Sequence, residues 1–148
     1  MPAKLPNQTG DDHLTAGASS IGLDHAKALV QQFAQVTTSK DVDAFLAGYT
    51  DDCVAQYNQF PVMRGKDALR PFVEQMFSDR LQNFVCWKSL RSLSGNVMGV
   101  NWLATWTDAK SGKPKTGLGF EFWVMRGDQI AQWDASFTTS DAEGPLVP

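Results

Sequence analysis

The sequence is poor in cysteine and has no long hydrophobic run, and both shortages exclude classes of protein. Its 148 residues include two cysteines, Cys53 and Cys86, and no Cys/His cluster has zinc-binding spacing, so we expect reduced thiols and no metal site. No segment approaches the ~18 consecutive apolar residues of a membrane span, and the N-terminus lacks a signal-peptide pattern, which predicts a cytoplasmic protein without a membrane partner. The net charge of −3 disfavours a nucleic-acid partner, because phosphate binding needs a basic surface.

Histidine is scarce as well, whereas aromatic residues are plentiful. His13 and His25 lie in the N-terminal segment and at the start of the first predicted helix, so we expect no catalytic histidine in a pocket. The chain has nine Phe, five Trp and two Tyr. Because Trp is suited to lining an apolar site, a pocket for a small apolar molecule is the favoured kind of binding site.

Hydrophobic periodicity predicts an α+β domain, with helices packed on one face of an antiparallel sheet. Helical spacing predicts helices at about 24–38 and 66–78, and a short helix between them with Tyr49 on its apolar face. Alternating segments and hairpin signals predict strands at 53–58, 83–93, 97–107, 116–126 and 129–138. We expect a flexible N-terminal tail at 1–21, a single domain at 22–140 and a C-terminal tail at 141–148.

Three segments carry a resemblance to a known family: YTDDCV after the second helix, RGKDALRPF opening the third, and GDQIAQWDASF in the last strand. In this order they resemble the nuclear transport factor 2-like superfamily, in particular its SnoaL-like and ketosteroid-isomerase-like branch, over about residues 22–138. The resemblance implies a cone-shaped, curved antiparallel sheet wrapped around three helices, with one deep apolar pocket. It also implies a homodimer through the outer face of the sheet. Family activities include allylic isomerisation, polyketide ring closure, dehydration and epoxide hydrolysis, and some members only bind ligands or partners.

Two positions argue against the isomerase mechanism of that branch. The isomerases place their base Asp eight residues after the Tyr of a Tyr-x-Asp-Asp segment, and here that position is Tyr57. Their oxyanion-hole Tyr lies sixteen residues before that same Tyr, and here that position is Phe33. A neutral phenol is a poor proton acceptor, so ketosteroid isomerisation by the usual route is disfavoured.

The sheet face on which Glu121 lies depends on how the last two strands pair. If Gly127-Asp128 is a two-residue turn, regular pairing places Glu121 opposite Asp134 on a mixed face. Phe120 and Phe122 then belong to an all-apolar face that lines the cone. On this register, which is slightly favoured, Glu121 lies outside or in a dimer contact.

The alternative register places Glu121 inside the cone. A longer turn or a bulge shifts the pairing by one residue and brings Glu121 beside Trp133 and Ala135. Two observations keep this register open. Glu121 and Asp134 would otherwise be directly opposed like charges, which destabilise a strand pair, and Trp123 on the same side as Glu121 is a poor residue for a solvent face.

The candidate site follows from this second register. Glu121 would act as general acid or base, and Tyr57 as a hydrogen-bond donor to a developing oxyanion. Asp134 is a third catalytic candidate, which could share a proton with Glu121 where the two carboxyl groups are directly opposed. Arg64 or Arg91 would supply a cation. We expect the residues that bind the ligand to include Phe33, Asn58, Met76, Phe77, Trp102, Phe120, Trp123, Trp133 and Phe137.

Two functional hypotheses result. The first is an enzyme that uses no metal or organic cofactor and acts by proton transfer on a small apolar or cyclic substrate, as a lyase, isomerase or cyclase. The second is a non-catalytic ligand-binding or accessory dimeric protein of the same fold. The outward register of Glu121 favours the second hypothesis.

Overall fold

The computed structural model describes residues 19–142, and the predicted α+β class is confirmed. Most of the predicted tails at 1–21 and 141–148 lies outside the described residues. The helices are α1 (Leu23–Ser39), α2 (Val42–Ala47) and α3 (Lys66–Met76). The strands are β1 (Tyr49–Tyr57), β2 (Met63–Arg64), β3 (Leu81–Ser94), β4 (Val97–Asp108), β5 (Pro114–Arg126) and β6 (Gln129–Asp141).

The six strands form a single mixed sheet that curves around the helices, in the order β2-β1-β6-β5-β4-β3. Strands β3 to β6 form the predicted antiparallel meander. The prediction of a wholly antiparallel sheet is wrong at one pair, because β1 runs parallel to β6, with Ala55 paired to Trp133 and Tyr57 to Ala135. This pairing brings the end of β1 beside the middle of β6, so residues distant in sequence line one face of the sheet.

Tyr49 begins β1 and does not belong to the second helix, contrary to the prediction. α2 ends at Ala47, and Gly48 follows it as the C-cap. A Cβ atom at Gly48 would lie 2.4 Å from the ring of Phe33, so only glycine lets that ring pack against the backbone here. The backbone of Tyr49 pairs with Ile130, which extends β1 to this point.

The apolar core lies between the helices and the inner face of the sheet. The buried positions of α1 recur at helical spacing and include Leu29, Val30 and Phe33. The ring of Phe33 packs against Trp123 of β5 at a centroid distance of 4.8 Å, and Phe45 of α2 packs edge-on against Trp133 of β6 at 6.0 Å. None of the described helices is long and apolar enough to cross a membrane.

A bulge in β6 decides the register between the last two strands. Arg126 pairs with Gln129 across the two-residue turn, and Met125 pairs with Ile130. The next pair is Val124 with Gln132, so Ala131 is the extra residue of a β-bulge. The turn is therefore as short as predicted, but the slightly favoured outward register is wrong.

The bulge turns Glu121 toward the core. Beyond it, Trp123 pairs with Trp133 and Glu121 pairs with Ala135, as the alternative register predicts. The expected opposition of Glu121 and Asp134 does not occur, since Asp134 lies opposite Phe122. The inner face of β5 consequently carries a carboxylate.

Candidate active site

An apolar cavity of about 340 Å³ lies between α3 and the inner face of the sheet. This volume is at the lower end of the range for pockets that hold small organic ligands. Seven of the predicted site residues line it: Tyr57, Met76, Phe77, Trp102, Glu121, Trp133 and Phe137. Phe60, Gln75 and Thr139 also line it and are exposed, so they mark its mouth.

A buried ion pair between Glu121 and Lys88 is the main polar feature of the cavity. The Lys88 ammonium donates to Glu121 Oε1 at 2.8 Å, and the Trp123 indole donates to Oε2 at 2.7 Å. The side chains of Lys88 and Glu121 are 6% and 4% exposed. Buried charges of opposite sign persist in an apolar interior only when they are paired and hydrogen bonded, as both are here.

The sheet register brings the two charges together from non-adjacent strands. Lys88 of β3 lies opposite Trp102 of β4, and Glu121 of β5 lies opposite Val100 of β4. The long lysine side chain crosses β4 to reach the carboxylate. Its ammonium lies 6.0 Å from the ring centroid of Trp102 and 5.7 Å from that of Trp123, within the range of cation–π attraction.

Gly119 makes room for the Trp102 indole beside this pair. A Cβ atom at this position would lie 2.9 Å from Trp102 Nε1 and 1.8 Å from the carbonyl oxygen of Ser136. Any larger residue would have to displace both the indole and the neighbouring strand. The glycine two residues before Glu121 therefore allows Trp102 to cover the inner face of β5.

Tyr57 presents a phenol that stays protonated. Burial and, to a smaller extent, the charge of Glu121 raise its pKa, so at neutral pH its hydroxyl acts as a hydrogen-bond donor. Stacking on Phe137 at 4.9 Å and packing against Trp133 at 5.2 Å hold the ring in place. Within residues 19–142, nothing hydrogen bonds to this hydroxyl.

Two further donors in the lining are also unsatisfied. The indole Nε1 atoms of Trp102 and Trp133 are buried and have no hydrogen-bond partner among the described residues. A buried donor without an acceptor is costly, so a ligand or water with acceptor oxygens would satisfy them. The cavity thus combines apolar walls with hydrogen-bond donors.

Cys86 also lines the cavity, two residues before Lys88 on β3. Burial raises the pKa of its thiol to about 11, while the charge of Lys88 acts weakly in the opposite direction. A thiol of this kind is protonated at neutral pH, and the thiolate is the reactive form. Cys86 is therefore a small apolar wall residue and not a nucleophile.

Several predicted site residues do not line the cavity. Phe120 is 60% exposed on the outer face, because the bulge turns it away from the core. Asp134 lies on the same outer face and accepts a hydrogen bond from Gln132 at 2.8 Å; burial raises its pKa. It cannot share a proton with Glu121 across the sheet.

Three more predicted ligand-binding residues do not line the cavity but support it from outside. Phe33 and Trp123 lie in the packed core below the cavity, and Trp123 acts on the site through its hydrogen bond to Glu121. The Asn58 side chain binds the neighbouring strand: its Oδ1 accepts a hydrogen bond from the Phe137 backbone N–H at 2.9 Å. This bond fixes the backbone of β6 at a residue that does line the cavity.

The cation of the site is Lys88, which was not predicted. The arginines expected in its place, Arg64 and Arg91, are both exposed. Lys88 alternates with Cys86 and Leu90 on one side of β3, and a lone charge on that otherwise apolar face is the signal that would have identified it. No cluster of side chains that could hold a metal ion occurs in residues 19–142.

The SnoaL-like domain profile matches residues 30–133, which is more than half of the chain. The chain belongs to the SnoaL-like domain family. The fold of this SnoaL-like protein is shared with an NTF2-like protein of unknown function from Cytophaga hutchinsonii, at 18% identity and a TM-score of 0.58, covering 76% of this chain and 98% of that one. No curated protein matches the sequence.

Two further solved structures share the fold and are named for activities. A proposed isomerase from Bacillus subtilis has 14% identity and a TM-score of 0.63, with 75% of this chain and 84% of that chain covered. An LEH-like epoxide hydrolase from M. tuberculosis has 16% identity and a TM-score of 0.58, with coverage of 76% and 82%. At these identities the likeness shows the fold alone.

Proposed function

We propose that this SnoaL-like protein catalyses proton transfer on a small apolar or cyclic substrate, without a metal or organic cofactor. The observation that carries the proposal is the Glu121 carboxylate, which is buried in an apolar cavity and oriented by Lys88 and Trp123. A carboxylate removed from water and aimed into a pocket is suited to exchanging protons with a carbon acid. The reaction class is isomerisation, ring closure or elimination.

The donors around Glu121 provide the second half of the mechanism. When Glu121 removes a proton from a carbon next to a carbonyl group, negative charge develops on the carbonyl oxygen. The protonated phenol of Tyr57 and the Lys88 ammonium are the donors suited to stabilise that oxygen. Glu121 then returns the proton to another carbon, which completes an isomerisation and leaves the enzyme unchanged.

Two of the three structural neighbours below carry names of this reaction class, and the epoxide hydrolase does not; their low identity supports only the fold. They include a proposed isomerase, an epoxide hydrolase and a proposed polyketide cyclase from Xanthomonas campestris pv. campestris, the last at 21% identity. All three names describe reactions of small organic molecules. Because the proposed base acts on a carbon next to a carbonyl group, the substrate is best sought among apolar cyclic ketones.

Deuterium exchange tests the proposal without knowledge of the natural substrate. Cyclohexanone and tetralone are incubated with the protein in D2O, and label at the carbon next to the carbonyl is followed by NMR. We expect exchange above background, and a fall of roughly 10²–10⁴-fold in Glu121→Gln, which removes the base but keeps an acceptor for Trp123. Glu74→Gln, on the exposed side of α3, is the matched control and should keep full exchange.

A non-catalytic binding role is the second candidate, and one observation favours it. Both oxygens of Glu121 already accept hydrogen bonds, one from Lys88 and one from Trp123, which leaves the carboxylate less available as a base. Under this hypothesis tetralone changes the fluorescence of the tryptophans in the cavity, with equal affinity for wild type and Glu121→Gln. No deuterium is then incorporated by either protein, which separates the two candidates.

We also propose that the protein is a homodimer through the outer face of its sheet. Leu118, Phe120 and Phe122 project from this face of β5 and are 51%, 60% and 56% exposed. The row continues sideways, since Leu118 pairs with Leu103 and Leu103 pairs with Trp87. We call these five residues the outer patch. An exposed apolar surface of this kind can be covered by the same surface of a second copy, as a two-fold contact requires.

A further inference from the structure

Lys88 differs from every other lysine of the described chain. It is the one buried lysine within residues 19–142, whereas Lys27, Lys110 and Lys113 are exposed, and Lys40, Lys66 and Lys115 are half-buried. Lys88 also belongs to the cavity lining. The rings of Trp102 and Trp123 lie beside its ammonium, and Glu121 is its ion-pair partner.

Such surroundings suit an amine for covalent chemistry. Lysines in apolar pockets are the residues that form Schiff bases with carbonyl compounds in proteins. The acceptor is already in place, because Glu121 Oε1 lies 2.8 Å from Lys88 Nζ. We propose that Lys88 is a carbonyl-reactive amine, which binds small apolar aldehydes or ketones covalently as a Schiff base.

Lys88 and Glu121 alone supply the nucleophile and all proton transfers of Schiff-base formation. Lys88 passes a proton to Glu121, and the free amine attacks the carbonyl carbon, so that a C–N bond forms and the C=O π electrons move to oxygen. That oxygen takes a proton from Glu121, and the nitrogen returns one to it, which gives a carbinolamine. Glu121 then protonates the hydroxyl, the C–O bond breaks and water leaves. The product is an iminium ion on Lys88 paired with the Glu121 carboxylate.

The cavity supports this chemistry in two ways. Its apolar walls disfavour water, which would otherwise hydrolyse the iminium, and its aromatic rings offer surfaces to an apolar carbonyl compound. The iminium also acidifies the neighbouring C–H bond beside Glu121. The proposal needs the cavity but not the proton-transfer reaction proposed above, so either can fail without the other.

Reductive trapping on the full chain tests the proposal. The protein is incubated with benzaldehyde and sodium cyanoborohydride, and its peptides are mapped by mass spectrometry. We expect Lys88 to gain one benzyl group faster than Lys115 by roughly tenfold or more, because binding in the cavity places the aldehyde beside the amine. Toluene, which fills the cavity without reacting, should slow the labelling of Lys88 and leave Lys115 unaffected.

Lys88→Arg should lose the label at this position and retain it at the surface lysines. If this variant does not fold, the site map of the wild-type protein decides the question by itself. Equal labelling of all lysines, or an unlabelled Lys88, would overturn the proposal. Deuterium exchange with an unlabelled Lys88 would leave only the proton-transfer function standing, whereas a labelled Lys88 without exchange would leave only the Schiff base.

Discussion

The two faces of β5 have the opposite of the usual distribution of polarity. Its inner face carries Glu121, 4% exposed, next to Gly119 and Trp123. Its outer face carries Phe120 and Phe122, each more than half exposed. Apolar side chains usually face the core of a sheet and charged ones face water, so a strand that reverses this order is under a constraint other than folding.

The difference is consistent with the two proposals made above, a ligand on the inner face and a second copy of the chain on the outer face. A buried ion pair contributes little net stability compared with apolar residues of the same size, so its presence points to chemistry or specificity. Exposed phenylalanines cost solubility unless something covers them. Neither arrangement is the one that would best stabilise the folded chain. The cost of the inner arrangement is measured as a free energy of unfolding, and the role of the outer one as a molecular mass.

The largest effect is expected from breaking the ion pair on the inner face. Lys88→Met leaves the Glu121 charge buried without its cation, which should lower the free energy of unfolding by about 3–5 kcal/mol. Adding Glu121→Gln in the same chain removes the unpaired charge and should recover most of the lost stability. Urea unfolding of the single and double variants measures both values.

The matched control for this pair is Lys115→Met. Lys115 lies on the same sheet and pairs with Asp141, but its partner is 58% exposed. Loss of this pair should lower the free energy of unfolding by at most about 1 kcal/mol, because water solvates the exposed Asp141 carboxylate when Lys115 is absent. If Lys88→Met costs no more than Lys115→Met, the inner pair is not the constraint inferred from the comparison of faces.

A smaller change in stability, but a change in assembly, is expected on the outer face. Phe120→Ser should convert the proposed dimer into a monomer and alter the unfolding free energy of the monomer by less than about 0.5 kcal/mol. Phe60→Ser removes another phenylalanine that is at least half exposed, at the cavity mouth, and should leave the mass unchanged. Sedimentation equilibrium reports the masses, and a wild-type mass of one chain at micromolar concentration would refute the dimer.

The smallest effect is expected from a carboxylate at the end of the sheet. Hydrogen bonds from Arg80 and then Ser111 lower the pKa of Asp108 to about 2. Because the folded value is lower than the unfolded one, this group stabilises the fold above about pH 4 and loses that contribution as the pH falls toward 2. The stability difference between wild type and Asp108→Asn should therefore shrink over this range. A difference independent of pH would show that the ion pair has no stabilising role.

The helices and most strands were predictable from local pattern, but β2 and the start of β1 were not, and the site was only partly predictable. The alternation of apolar residues located β3 to β6 to within about three residues, since strand period and turn chemistry are local properties. The side on which Glu121 lies depends on the bulge at Ala131, and an alanine in a strand carries no local signature of a bulge. The misplacement of Phe120 has the same cause.

Lys88 was missed for a different reason. Its partner is 33 positions away in sequence and two strands away in the sheet, so no spacing rule connects them. The strand between them, β4, carries Trp102 opposite Lys88 and Val100 opposite Glu121. Such a contact is a property of the assembled sheet and not of any one strand.

The bulge at Ala131 also sets the electrical balance of the cavity. Without the extra residue, regular pairing from Arg126 and Gln129 would place Glu121 opposite Asp134 on the outer face, and Lys88 would have no counterion in the cavity. With it, Glu121 and Lys88 are the single anion and the single cation among the described lining residues. The cavity is electroneutral, so an uncharged guest enters without a counterion, whereas a charged guest has to displace one member of the pair.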